Sequence, residues 1–140
     1  MYKKCLIITT QLLILGSAFA VTPQIPAASE ERPTHIPAAE LNRLIQSGNA
    51  PTIIDVRSSR EYRSGHVPGA VHLPFWQAFW RADAIDHPGD ELVVVYCAHG
   101  PRAGIGKLAL SSKGFSRIVY LQGHMSGWYE AGLPVERSSD

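Results

Sequence analysis

The chain is poor in cysteine. Two of its 140 residues are cysteine, Cys5 and Cys97, and no C-x-x-C pair occurs. That excludes a dithiol exchange centre of the thioredoxin type, and no metal-ligand spacing surrounds either thiol. Excess charge of one sign is missing too. Thirteen Lys and Arg stand against twelve Asp and Glu, with no basic run. Nothing in that surface points to a nucleic-acid partner. There is no internal repeat, and no apolar run reaches the ~20 residues of a membrane-spanning helix. What remains is a chain of the length of one domain with a single core.

The first twenty residues have the form of a secretory leader. Lys3 and Lys4 give a positive start, Leu6 to Leu15 is mostly apolar, and Ala18-Phe19-Ala20 offers the small residues of a cleavage site. Thr9, Thr10 and Gln11 interrupt the apolar run. The expectation is a signal peptide over 1–20 and a periplasmic mature chain, with a retained N-terminal anchor as the alternative. Cleavage would remove Cys5, Lys3 and Lys4 and leave 11 basic against 12 acidic residues. Cys97 would then be a lone thiol in an oxidising compartment, with no partner for an internal disulfide.

Residues 21–34 carry Pro23, Pro26 and Pro33 with few large apolar side chains, which predicts a Pro-rich linker. A domain is expected over 35–136, with a polar tail at 137–140. Pro37 to Glu40 opens a helix that places Leu41, Leu44 and Ile45 on one face and stops at Gly48. Thr52 to Val56 reads as a buried strand, Ser58 to Ser64 as a polar segment, and Gly65 to Gly69 as a turn. Ala70 to Leu73 is a short strand, and Phe75 to Trp80 an aromatic helical turn expected to pack in the core or as a lid. Arg81 to Asp90 reads as a surface loop and Leu92 to Tyr96 as the central strand. A helix over Ala103 to Lys113 would turn Ile105, Leu108 and Ala109 inward. A strand over Arg117 to Leu121 and a helix over His124 to Ala131 complete the set. Strands alternating with helices predict an α/β fold: a mostly parallel sheet of about five strands with helices on both faces.

In such a sheet ligands bind beyond the carboxyl ends of the strands, where Cys97 falls. Cys97 ends the apolar run Leu92 to Tyr96 and is followed by Ala98-His99-Gly100-Pro101-Arg102-Ala103. Amides of a tight turn running into a helix form an anion cradle. The helix dipole and the fixed charge of Arg102 add to it, and all three favour a thiolate. The plain alternative is an inert buried cysteine. Asp55 lies at the same sheet edge and is expected to bond backbone near the active loop, while Arg57 and Glu61 are expected to pair with each other or with nearby backbone. His66 is expected to be a structural hydrogen-bonder, and His99 to face solvent at the rim.

Several segments together carry a resemblance. Asp55-Val56-Arg57 with Glu61-Tyr62 is similar to a D-V-R-x-x-x-E-F/Y segment. Gly65 to Pro74 is similar to G-H-I-P-G-A-x-x-I/L-P, and Gly114-Phe115 through Leu121, Gly123 and Trp128 to a closing G-F/Y-x-x-V-x-x-L-x-G-G-x-x-x-W segment. Val95-Tyr96-Cys97 with Gly100 and Arg102 resembles the active-site loop of the same family, the rhodaneses, and the exported single-domain layout is similar to its periplasmic members. The resemblance implies a rhodanese-like fold and a sulfurtransferase that carries a persulfide on Cys97. Ala98, His99, Gly100 and Ala103 would cradle the sulfur, Arg102 would bind the donor's charge, and Asp55 and Arg57 would support the site. The partners expected are a small sulfur donor such as thiosulfate and a thiophilic acceptor, with no cofactor, no metal and no membrane contact after leader removal, and the protein is expected to be a monomer.

Two departures stand out. Pro101 lacks an N–H, which removes one possible cradle donor. His124 stands where the family pattern has its second glycine. Two other classes compete with the sulfurtransferase reading. Cysteine phosphatases and arsenate reductases put five residues between cysteine and arginine, where this chain has four, Ala98 to Pro101. A non-catalytic binding module would need no reactive cysteine.

Overall fold

The computed structural model describes residues 33–86 and 89–138. The leader, most of the linker and the last two residues of the tail lie outside the described residues.

Alternating apolar runs and amphipathic segments fold in the order β1 (His35–Ile36), α1 (Ala38–Gln46), β2 (Thr52–Asp55), α2 (Ser59–Ser64), β3 (Val71–His72), α3 (Ala78–Arg81), β4 (Leu92–Tyr96), α4 (Pro101–Ser112), β5 (Arg117–Leu121) and α5 (His124–Glu130). A single 3-10 turn, Ala82–Ala84, follows α3. The five strands lie in the order β1-β5-β4-β2-β3 and every pairing is parallel. β4 is therefore central, and its run of Val93, Val94 and Val95 is buried on both faces, as a parallel sheet requires.

Two apolar layers cover the sheet. On one face Ile54, Val56, Val95 and Phe115 meet Ala78 and Ala82 near α3 and Ala103, Ala109 and Leu110 of α4. On the other, Ile53, Val94 and Tyr96 meet Leu41 of α1 and Met125 and Trp128 of α5, with Leu44, Ile45 and Tyr62 packed around them. Fully burying a Leu- or Phe-sized side chain stabilises by roughly 1.5–3 kcal/mol each, so these two layers are the main source of the fold's stability.

The structure corrects the sequence reading at several places. Edge strand β1 is two residues long, too short to leave a period in the sequence. Ser58 to Ser64 is not merely a polar segment. Ser58 caps a helix there: its Oγ accepts from Glu61 N–H, and the Glu61 carboxylate takes the Ser58 N–H. Of the aromatic turn, Ala78 alone enters the core. Phe75 packs against it, while Trp80 is 68% exposed and Trp76 and Phe79 lie near 40%. The stretch after Arg81 is not wholly a surface loop, since Ala82 is fully buried.

The phase of α4 also differs. The helix begins at Pro101, and its inward residues are Ala103, Gly106, Ala109 and Leu110, whereas Ile105 and Leu108 face outward. The reason is distance. A Cβ added to Gly106 would lie 2.7 Å from Val56 Cγ1, so the helix sits too close to the sheet for larger inward side chains. Gly106→Ala is therefore expected to destabilise by about 1–3 kcal/mol of overpacking, partly offset by the ~1 kcal/mol that alanine gains over glycine in a helix. Denaturant unfolding measures the loss, and Val56→Ala in the same chain should recover part of it.

Candidate active site

The parallel register carries β2 and β4 to a common edge. Asp55 lies beside Tyr96, and Cys97 is the next residue. Cys97 is 1% exposed and is a free thiol. The chain then turns sharply. Gly100 adopts φ 131° and ψ −57°, a conformation open to glycine, and its N–H points back to Cys97 Sγ at 3.0 Å. Pro101 opens α4, where the first-turn amides have no helical partner, so its missing N–H breaks no helix bond.

Gly100 O accepts from Ala103 N–H at 2.9 Å and from Gly104 N–H at 3.4 Å. The Ala103 amide, expected in the cradle, is thus occupied inside the helix. The loop is also held from outside by α5: Met125 N–H donates to Cys97 O at 3.0 Å, and Ser126 donates to Ala98 O through both its N–H and its hydroxyl. His99 is exposed, at the rim.

Arg102 is not an unpaired charge. Its guanidinium grips Glu61 with two hydrogen bonds of 2.7 and 2.9 Å. Of the two expectations for Arg57 and Glu61, pairing with each other or with nearby backbone, the second is found: Arg57 Nη2 donates to Gly65 O and Glu61 accepts from Ser58 N–H. Glu61 has turned from α2 to α4, where the fork of Arg102 matches both carboxylate oxygens. Arg102, with burial working against it and Ser58 assisting, pulls the Glu61 carboxyl down to about 2.

Arg57 has its own partners. Its Nε and Nη2 bond Asp55, the latter at 2.7 Å, and Nη2 also donates to Gly65 O at 2.7 Å. Asp55 is wholly buried and Arg57 is 4% exposed. Burial by itself pulls the Arg57 pKa down, but the hydrogen bond and charge of Asp55 outweigh it and the net shift is upward. Breaking such a buried pair by removing one partner typically costs about 3–5 kcal/mol. The backbone that Asp55 bonds is the Arg57 N–H, at 2.9 Å, not the Cys97 loop. Asp55 and Arg57 therefore build the floor beside the site: the Arg57 guanidinium lies over the Tyr96 ring, and the Tyr96 hydroxyl accepts from Val67 N–H. His66 is buried in the same layer, its Nδ1 2.8 Å from Tyr62 O and its ring stacked on Tyr62.

Two residues at the loop escaped the sequence reading as contributors. Glu61 had a readable signal, the Ser58-x-x-Glu61 cap, but its bond to Arg102 spans 41 positions. His124 had one as well, its departure from glycine. Its Nδ1 lies 3.4 Å from Cys97 N, and a Cβ on Gly100 would sit 3.4 Å from its Nε2. Among the described residues no three His, Cys, Asp or Glu side chains are placed to hold a metal ion. A groove of about 650 Å³ lined by Thr34, Lys107 and Arg117 runs along β5 and does not include the Cys97 loop. The arrangement at Cys97 thus suits chemistry on one sulfur atom: a nucleophile at the end of a rigid strand, one amide aimed at its Sγ, and a helix start behind it.

Comparison with known proteins agrees with this geometry. The pattern of the rhodanese-like domain matches residues 37–131. A sulfurtransferase of Allochromatium vinosum is 32% identical over 83 residues, 59% of this chain and 76% of that protein. The thiosulfate sulfurtransferase GlpE of Actinobacillus succinogenes is 32% identical over 95 residues, 66% of this chain and 81% of that protein. The putative sulfur carrier protein YrkF of Bacillus subtilis is 28% identical over 103 residues, and the chain spans about half of its length, 55%. Among solved structures, a rhodanese-related protein of Thermoplasma volcanium superposes with a TM-score of 0.63 at 30% identity, covering 74% of this chain and 98% of that one. From the first helix to the last, with Cys97 in the loop after the central strand, the chain belongs to the rhodanese-like domain family.

Proposed function

We propose that the protein is a sulfurtransferase that carries a persulfide on Cys97 and moves sulfane sulfur from thiosulfate or a similar donor to cyanide or a thiol. Membership of a family that includes sulfurtransferases and a sulfur carrier supports sulfur transfer in general. The observation that carries the reading to this chain is the Gly100 N–H aimed at Cys97 Sγ, a backbone donor placed where the reacting sulfur sits.

The proposed steps balance without a cofactor. The Cys97 thiolate attacks the outer sulfur of thiosulfate, a sulfur–sulfur bond forms to Cys97, and the bond to the sulfonate sulfur breaks with release of sulfite. Cyanide or a thiolate then attacks the terminal sulfur of the persulfide, leaves as thiocyanate or a new persulfide, and returns the Cys97 thiolate. Arg102 meets the donor's negative charge, in competition with Glu61. A periplasmic location is part of this proposal, and the leader-like pattern of residues 1–20 supports it.

Intact-mass measurement tests the reading. Treatment with thiosulfate should add one sulfur atom, about 32 Da, that cyanide removes and that Cys97→Ala never acquires. A wild-type chain that gains no sulfur from thiosulfate overturns it.

The Arg102–Glu61 pair makes two kinetic expectations of opposite sign. Arg102→Ala should raise the KM for thiosulfate. Glu61→Gln, which keeps the helix cap but frees Arg102, should lower it about 2–5-fold, the worth of a partly exposed ion pair. The pair also sets an acid dependence. The folded Glu61 pKa lies below its ordinary value of 4.5, so its contribution is complete above pH 4.5 and is lost as the pH falls toward 2. Acid unfolding of Glu61→Gln should be shallower than that of the wild type over this window.

A further inference from the structure

His124 has no role in the steps above, and the family pattern carries glycine at its position. Three features of the structure single it out. The first is its backbone. His124 has φ +52°, and among the described residues it is the one non-glycine with positive φ. Left-handed backbone is unfavourable for a side-chain-bearing residue and persists where its surroundings hold it.

The second is the placement of the ring. It folds back over the Cys97 loop, with Nδ1 at 3.4 Å from Cys97 N and Nε2 beside Gly100, whose own N–H bonds Cys97 Sγ. One imidazole therefore bridges the nucleophile's amide and the glycine that donates to its sulfur.

The third is an amide that the sheet does not satisfy. β5 ends at Leu121, and Gln122 N–H turns to Ile36 O of β1. Cys97 lies one residue beyond β4 and is buried, so its N–H needs an acceptor, and among the described residues the one it meets lies outside the sheet. The His124 side chain supplies it. A glycine there has no side chain with which to do so.

We propose that His124 is a positioning residue for sulfur transfer: its neutral imidazole, with the proton on Nε2, holds the Cys97 amide through Nδ1 and so holds the Cys97–Gly100 loop in shape. The kinetic part of this proposal rests on the sulfurtransferase reading, whereas the hydrogen bond does not.

Only a neutral ring can accept that bond. Protonation would set an imidazolium N–H against the Cys97 N–H. The groups around the ring are Cys97 and His99 on the loop, His35 of β1, and Tyr120 of β5, whose ring centroid lies 6.1 Å from that of His124 and which carries Lys107 of α4 at 4.8 Å. No carboxylate is among them. A Cys97 thiolate would favour the charged form, while burial first, then the charges of His35 and His99, oppose it, and the net shift holds the His124 pKa below its ordinary 6.5. The unfolded chain therefore takes up a proton near pH 6.5 that the folded chain does not, and stability falls as the pH drops below 6.5.

The test compares the wild type with His124→Gly and His124→Asn, using His35→Asn and His99→Asn to separate neighbouring titrations. Long-range proton–nitrogen spectra of the imidazoles should show His124 at neutral pH with the proton on Nε2. The Cys97 amide resonance should follow the titration of His124 and lose that inflection in His124→Gly. Persulfide loading by thiosulfate should slow about 5-fold in His124→Gly, in line with one lost hydrogen bond, and lose its acid limb below pH 6.5. His124→Asn, whose side-chain oxygen can accept the same N–H and which tolerates left-handed backbone, should recover loading without the acid limb. The difference in melting temperature between His124→Gly and the wild type should shift in favour of the glycine variant as the pH falls from 7.5 to 5. A proton on Nδ1, a Cys97 amide indifferent to His124, or a glycine variant with wild-type loading and pH profile would overturn the proposal. If wild-type protein loads no sulfur, the sulfurtransferase reading fails and the spectra alone decide on His124.

Discussion

The turn that leaves β4 at Cys97 is held by its carbonyls. Met125 and Ser126, in the first turn of α5, donate to Cys97 O and Ala98 O. A backbone whose carbonyls are anchored to a packed helix has little freedom left. The anchor is itself rigid, because Met125 and Trp128 of α5 are buried against the sheet. The central strand, two helix starts and the glycine conformation at Gly100 therefore meet at one point. Loosening any of them would let the Gly100 N–H move away from Sγ, and the site would lose that hydrogen bond to the thiol.

Charge around this point is arranged in two separate pairs. Asp55 and Arg57 are buried and tie the end of β2 to the Gly65 carbonyl and the Tyr96 ring. Their work is structural. Arg102 and Glu61 are partly exposed and tie the start of α4 to the start of α2. This second pair holds the one arginine of the loop to its own carboxylate. Such a pairing weakens the attraction for a small dianion and keeps the arginine in place, a compromise that fits a site expected to take sulfur from a donor and pass it to a different acceptor.

Much of the architecture was legible in the sequence because it follows from local patterns. The uninterrupted apolar run Leu92 to Tyr96 announced a strand buried on both faces, and it is the central strand. Arg117 to Leu121 and His124 onward were visible as a strand and a helix for the same reason. The failures were those of phase and length. Ile105 and Leu108 looked like core because they are apolar at helical spacing, yet the approach of Gly106 to Val56 turns them to solvent. The two residues of β1 have no periodicity to read; they become a strand through Tyr120 and Leu121 on β5.

By itself the sequence determined the order of elements, the position of the lone described thiol at a strand end, and the glycine and proline that shape the turn after it. Those are properties of neighbours along the chain, set by burial patterns and backbone dihedrals. The tertiary structure decided the partners. Arg102 finds Glu61 across 41 positions, and Cys97 N–H finds His124 across 27. No local propensity encodes such pairs. They arise because a parallel sheet brings the carboxyl ends of its strands to one edge, where a carboxylate, an arginine, an imidazole and a thiol distant in sequence must satisfy one another's hydrogen bonds.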